Sequence, residues 1–229
     1  MKIAKKRKEM LKGIDLVKTY EPLEAIKILK DKSYVKFNET IDVAINLSID
    51  SNKTDQNVKG VMNLPKGTGK IVKVAVVASE SKNKEAIESG ADITGSSEII
   101  ENISNNKIEF DVLIASPDMM PSLGKVAKIL GPRGLMPNPK LGTVTNDIGK
   151  AVKDAKSGQV KFKNDKAGIV HAGIGKIEFT DDDILENLKS LYSSIVKSKP
   201  ETVKGSFIKK VTIASTMGIG LQINQASLR

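Results

Sequence analysis

Two hydrophobic periodicities share this chain, and they assign its ends and its middle to different kinds of sheet. Toward the N-terminus, Ile41, Val43, Ile45, Leu47 and Ile49 are interleaved with Asp42, Asn46, Ser48 and Asp50. A period of two buries one face of a strand and leaves the other open, the habit of antiparallel sheets. Toward the C-terminus, Phe207, Val211 and Ile213 alternate with Ser206, Lys210 and Thr212, and Val160 and Phe162 alternate with Lys161 and Lys163. The turn-rich Asn164-Asp165-Lys166-Ala167-Gly168 that follows predicts a hairpin. In the middle, Ile71-Val72-Lys73-Val74-Ala75-Val76-Val77-Ala78 is a mostly apolar, β-branched run suited to a parallel strand buried on both faces. Strand segments at Asp92-Ile93-Thr94 and from Phe110 to Ala115 follow it. They alternate with helical stretches from Asn83 to Ser89, from Ser96 or Ser97 through Ile103, around Ser122 to Leu130, and from Asn146 to Lys156. That alternation predicts an open α/β sheet.

Two helices are expected to cover the sheet of the ends. One starts at Pro22 and runs through Leu23, Ile26 and Leu29. The other opens at Thr180-Asp181-Asp182-Asp183, read as a cap and not a metal site, and presents Ile184, Leu185, Leu188, Leu191, Tyr192 and Ile195 at helical spacing. A third, basic helix is expected at the N-terminus. Glycines mark both crossings, in Lys66-Gly67-Thr68-Gly69-Lys70 and at Gly158, and predict hinges near residues 66–70 and 157–159. The predicted architecture is an α+β outer domain, residues 1–66 and 160–229, with an antiparallel sheet and helices. It is interrupted by an inserted α/β Rossmann-like three-layer domain, residues 67–159.

Charge follows the same division. Residues 1–66 carry 14 Lys/Arg against 9 Asp/Glu and residues 160–229 carry 11 against 7, whereas the middle is nearly balanced at 12 against 11. If the ends fold together, one domain holds almost all of the net charge of +10, which points to a polyanionic partner. With no cysteine and one histidine, thiol chemistry, histidine pairs and His- or Cys-based metal sites are excluded. No apolar run has signal-peptide or membrane-spanning length, which leads us to expect a cytoplasmic protein without cofactor or metal.

Candidate chemistry is sparse. Gly67-Thr68-Gly69-Lys70 precedes a strand, whereas a phosphate-binding loop follows one. Gly173-Ile174-Gly175 and Gly218-Ile219-Gly220 lack dinucleotide context. With 3% aromatic residues and no tryptophan, the chain has little with which to stack single-stranded bases, so the expected target is structured RNA or duplex read through backbone and groove shape. The stretch Gly131 to Thr145 is rich in proline and glycine, lies in a segment with no acidic residue between Asp118 and Asp147, and carries Arg133 and Lys140. It reads equally as a rigid structural loop or a second nucleic-acid contact.

Several stretches carry a family resemblance. Ile129-Leu130-Gly131-Pro132-Arg133-Gly134-Leu135-Met136-Pro137-Asn138-Pro139-Lys140 with Gly142-Thr143-Val144 resembles the bacterial large-subunit ribosomal protein L-one family, the protein of the mobile stalk beside the tRNA exit site. Phe37-Asn38-Glu39-Thr40, Asp55-Gln56-Asn57-Val58 with Leu64-Pro65, Phe162-Lys163-Asn164-Asp165-Lys166 and Ser215-Thr216-Met217-Gly218 match in the same order. The resemblance implies a non-enzymatic protein of the cytoplasmic ribosome. It would bind large-subunit rRNA, the rest of the large ribosomal subunit and exit-site tRNA, and would repress its own operon's mRNA; it would have no membrane partner. It implies an RNA face of Lys36, Phe37, Thr40 and Asp42 on the first long strand and Lys161, Lys163, Asp165, Lys166 and His171 around the hairpin. Thr212, Ser215, Thr216, Met217 and Gly218 would complete that face near the C-terminus. Where the family usually has proline after Met217-Gly218 this chain has Ile219, and Gln222 stands where a basic residue often follows. A less rigid loop and one fewer neutralised phosphate are expected.

Overall fold

The computed structural model describes residues 9–51, 53–203 and 205–228, with the side chains of Thr54, Glu80, Ser81 and Lys140 left out. Most of the basic N-terminal helix expected from sequence lies outside the described residues. The chain divides into two compact units, the residues up to Gly69 with those from Val160 onward, and the intervening Lys70–Gln159.

The first unit is built on a five-stranded sheet. Its strands are β1 (Thr19–Tyr20), β2 (Thr40–Leu47), β8 (Ile169–Lys176), β9 (Ile208–Ser215) and β10 (Gly220–Ile223), in the order β1-β10-β9-β2-β8. All neighbours are antiparallel except β1 with β10. Strand β2 obeys its period. Ile41, Val43, Ile45 and Leu47 are buried in one cluster with Ile26 and Leu29 of α1 (Pro22–Asp31) and Ile184, Leu188 and Leu191 of α7 (Asp181–Lys197). Leu23, expected on the core side of α1, is exposed, and Ala25 occupies the core instead. The aspartates that open α7 are engaged in capping and ion pairs. Thr180 Oγ1 accepts from the Asp183 amide at 3.2 Å, Asp181 pairs with Lys30 at 2.6 Å, and Asp183 pairs with Lys66 at 3.3 Å.

One polar residue sits on the apolar stripe of α7. Asn187 is fully buried; its Oδ1 accepts from the Lys66 amide at 3.1 Å, and its Nδ2 donates to the carbonyls of Gly67 at 3.0 Å and Ile174 at 2.8 Å. Gly69, in the left-handed region at φ 69°, lies so close to Lys176 that a Cβ would stand 2.8 Å from its Cγ. These contacts keep the chain through Gly69 with the first unit, beyond the boundary at residue 66 read from sequence.

The hairpin expected after Val160 does not form as a sheet pair. Strand β7 (Gln159–Lys163) pairs with β3 (Lys59–Asn63) in a separate two-stranded sheet, while β8 joins β2, and a single bridge links Asn164 to Val170. Phe162 packs over Gly60, where a Cβ would meet the ring at 2.6 Å, so this glycine makes the β3 pairing sterically feasible.

In the second unit, β4 (Val74–Val77), β5 (Ile93–Gly95) and β6 (Val112–Ala115) form a parallel sheet in the order β5-β4-β6. Val74 and Val76 pack with Ala86 of α2 (Glu80–Glu88) and with Ile148 and Val152 of α6 (Ile148–Lys156). Ala75 and Val77 pack with Ile99 and Ile103 of α3 (Ser97–Ser104) and with Leu123 and Leu130. The sheet is thus covered on both faces, as its unalternating sequence demands. The helix expected from Ser122 to Leu130 is broken into α4 (Met120–Gly124) and α5 (Ala127–Leu130), because Lys125 and Val126 bond back three residues and tighten the chain beside Gly124. Among the described residues no helix is long and apolar enough to cross a membrane.

Two stability predictions follow from the first unit. Asn187→Ala removes the three hydrogen bonds of a buried side chain and should cost about 3 kcal/mol in urea unfolding; a loss under about 1 kcal/mol would show that water replaces the amide. Asp42 lies on the open face of β2, and burial among its neighbours pushes its carboxyl above the ordinary 3.8, outweighing the opposing pull of Lys176 and His171. Its ionised form is less favoured in the fold than in the unfolded chain. The resulting cost is present at neutral pH and disappears as pH falls through the raised folded value toward 3.8. Asp42→Asn should therefore raise the urea midpoint at pH 7 and lose that advantage in acid.

Candidate nucleic-acid interface

The face of the five-stranded sheet opposite the helices is assembled from small and polar side chains. Register places Thr212 of β9, Ala44 of β2 and His171 of β8 in one row, and Ala214, Asp42 and Gly173 in the next. A Cβ at Gly173 would touch Asp42 Oδ1 and Thr40 Cγ2, both at 3.3 Å, so the surface stays low there. Thr212, His171 and Asp42 lie along this smooth strip, and most of the other candidate residues gather at its two ends.

At one end, Lys36 and Phe37 lie on the bend before β2, not on the strand as expected, and Phe37 is 54% exposed. The organiser here is Glu39, whose role the sequence reading missed. Its carboxylate is 1% exposed and accepts from Ser33 Oγ at 2.7 Å, Ser215 Oγ at 3.3 Å and the Met217 amide at 2.7 Å. Ser215 is buried, and its hydroxyl serves Glu39; it does not belong to the exposed face where the sequence reading put it. Gly218 cannot offer its amide outward, because that N–H donates to the Ser215 carbonyl at 3.1 Å, and a Cβ on it would collide with Ser215 Oγ. Thr216 and Thr40 are knotted together: the Thr40 amide donates to Thr216 Oγ1 at 3.0 Å, and the Thr216 amide donates to the Thr40 carbonyl at 3.1 Å. Lys176 donates to Thr40 Oγ1 at 2.8 Å. What this clamp presents is Met217, 49% exposed, facing solvent like Phe37. The side chain of Ile219 is buried in the core, so where the family usually has proline, and a less rigid loop was expected, the loop is anchored by apolar packing.

At the other end, the turn after β7 is self-bonded. Asp165 Oδ1 accepts from the amides of Ala167 at 2.9 Å and Ile169 at 2.8 Å, and these bonds, the one from Ile169 foremost, hold its carboxyl below the ordinary range. Its expected part as an acceptor for a ligand is taken at that oxygen by the turn; Oδ2 stands 3.7 Å from His171 Nε2. Buried Asn164 accepts from the Val58 amide at 2.8 Å and donates to Asn57 Oδ1 at 3.2 Å. Ser51 Oγ donates to the Lys166 carbonyl. The frame leaves Lys163 and Lys166 on the surface, and their ammonium groups, like that of Lys36, have no intramolecular partner among the described residues. Lys161 is outward on β7, yet protein packed around its ammonium pushes its pKa below the ordinary lysine value.

The proline-rich loop of the second unit braces itself. Thr143 Oγ1 accepts from the Asn138 amide at 2.8 Å, and Gly134 and Gly142 both take φ 69°. Arg133 is exposed on the turn; the side chain of Lys140 lies outside the described residues. Glu39 had one legible signal, a carboxylate set between two hydroxyl-bearing segments at the foot of a strand. Lys176, also missed, had none.

Residues 29–219 match the model of the Ribosomal protein L1p/L10e family. The chain is 49% identical over 227 residues to a large ribosomal subunit protein uL1 of Actinobacillus succinogenes, covering 99% of each chain. It is 54% identical over 209 residues to the protein of that name from Rickettsia bellii, covering 91% of this chain and 87% of the relative. Against that of Rickettsia conorii it is 50% identical over 224 residues, 98% of this chain and 94% of the relative. Matched across most of its length by the family model and near half identical to these relatives, the chain belongs to the ribosomal protein L1p/L10e family, a family of structural proteins and not of enzymes.

Proposed function

We propose that this protein is a structural component of the large ribosomal subunit that holds folded ribosomal RNA along the open face of its five-stranded sheet. The observation that carries the reading is that the ammonium groups of Lys36, Lys163 and Lys166, at the ends of a strip of small and polar side chains, have no partner among the described residues. Lysines at both ends neutralise phosphates, and the low strip between them lets a ribose-phosphate backbone approach closely. Phe37 and Met217 supply apolar contact to sugar or base edges, and the Thr212 hydroxyl and His171 supply polar contact in the middle row. Glu39, Ser215, Thr216, Gly218 and Asp165 act through the loops they hold.

The same surface would take a site in the protein's own messenger that copies the ribosomal fold, giving repression of its own synthesis. The inserted unit, through the turn bearing Arg133, would reach exit-site tRNA and assist its departure, the two units moving about the chain crossings beyond Gly69 and at Gly158. On this reading the protein works on the ribosome, in the cytoplasm.

Competition between a folded stem-loop RNA, an unstructured RNA and duplex DNA tests the reading; equal affinities would reduce the protein to a general nucleic-acid coat. Replacing Lys163 and Lys166 together by alanine should weaken binding to every RNA. The slope of log affinity against log salt should fall by roughly one for each phosphate that is no longer neutralised. An unchanged slope would put the interface elsewhere. Met217→Ala should cost more affinity for the folded RNA than for the unstructured one, and equal losses would remove Met217 from recognition.

A further inference from the structure

The helix side of the first unit carries a groove that the RNA reading leaves unused. It lies between α7 and the segment entering β9, with a volume of about 540 Å³. Phe207 and Leu228 line its apolar floor, and Val196, 44% exposed, stands open beside them. Its rim is basic. Lys197 and Lys199 border it, and Lys189 lies two turns back on the same face of α7, beside a neighbouring hollow that Lys197 also lines. Lys189, Ser193 and Lys197 are spaced by four residues and therefore stack along the helix. The ammonium groups of Lys189 and Lys197 have no acidic partner among the described residues, while Lys199 donates to the Gly205 carbonyl at 3.2 Å. The acidic residues of α7, Asp181, Asp182, Asp183 and Glu186, all lie in its N-terminal turns.

Charge decides among occupants. The chain's own first residues include Lys2, Lys5, Lys6, Arg7 and Lys8, and a second copy brings a net charge of +10, so both would meet a rim of their own sign. RNA would match the rim but not the floor. Tyr192 and Phe207 are 5% and 7% exposed, so no aromatic face is offered for a base to stack on. We propose that the groove docks an acidic, amphipathic segment of a partner protein. Its leucine- or phenylalanine-like side chain would sit on the floor beside Val196, and its carboxylates would pair with Lys189, Lys197 and Lys199. This is the pattern of an amphipathic helix in a groove, with charge setting its orientation.

The test uses the full chain and a fluorescent synthetic peptide carrying leucines at helical spacing among glutamates. Control peptides have leucine replaced by serine or glutamate by glutamine, and a folded RNA serves as competitor. The leucine-glutamate peptide should bind saturably, perturb the backbone resonances of residues 193–208, and lose about tenfold or more in affinity to Val196→Glu and to Lys197→Glu. Both variants should bind RNA like the parent, which reports an intact fold. Equal binding of the serine peptide would mean charge attraction alone. That result, displacement of the peptide from residues 193–208 by RNA, indifference to either variant, or no binding at all would each overturn the proposal.

Discussion

The central strand of the first unit cannot be satisfied by its own half of the chain. Both edges of β2 pair with strands that come more than a hundred residues later, β8 on one side and β9 on the other. An unpaired backbone amide in a buried strand costs as much as a lost hydrogen bond, so β2 exists as a strand only once the two ends of the chain have met. The remaining features of the unit depend on that closure. Glu39 reaches Ser215 and Met217, Thr40 reaches Thr216, and the Leu47 amide reaches the Gly168 carbonyl, each joining one end of the sequence to the other. A segment inserted between those ends is then tolerated without disturbing the sheet, because the cost of closing a loop grows only slowly with its length.

How much was legible depends on how far each feature reaches. The alternation of Ile41, Val43, Ile45 and Leu47 and the unbroken Val74-Ala75-Val76-Val77 declare their sheet types locally, and both form strands, but shorter ones than the sequence suggested: Ile49 lies beyond β2, and Ile71-Val72-Lys73 precede β4, with Ile71 92% exposed. The hairpin reading failed at β7 because its partner lies about a hundred residues earlier in β3, and nothing local foretells that Phe162 fits over Gly60. Asn187 could have been noticed, since a polar residue at an apolar position of a helix must find buried partners.

The site divides in the same way. Exposed lysines are legible as such, but what the fold does with each ammonium group is not: Lys36, Lys163 and Lys166 have no partner among the described residues, whereas Lys176 donates to Thr40 and protein packs around Lys161. Ser215, Gly218 and Asp165 are ambiguous in sequence because the atoms that could meet a ligand can equally close a turn, and the fold commits them to turns. On the proposed reading they serve the surface through Met217 and Lys166, which they position.

Strand β2 separates the two lysine-bearing ends of the open face by its own length, roughly 23 Å for eight extended residues. If the open face holds RNA as proposed, two weak attachments held that far apart would behave as a bivalent reader. Once one engages, the effective concentration for the second depends on whether the ligand's own phosphates hold that interval. A floppy strand must give up entropy to span it, whereas a stiff helix junction arrives pre-spaced, so mechanical rigidity in the nucleic acid can itself be selected, with no base needing to be read.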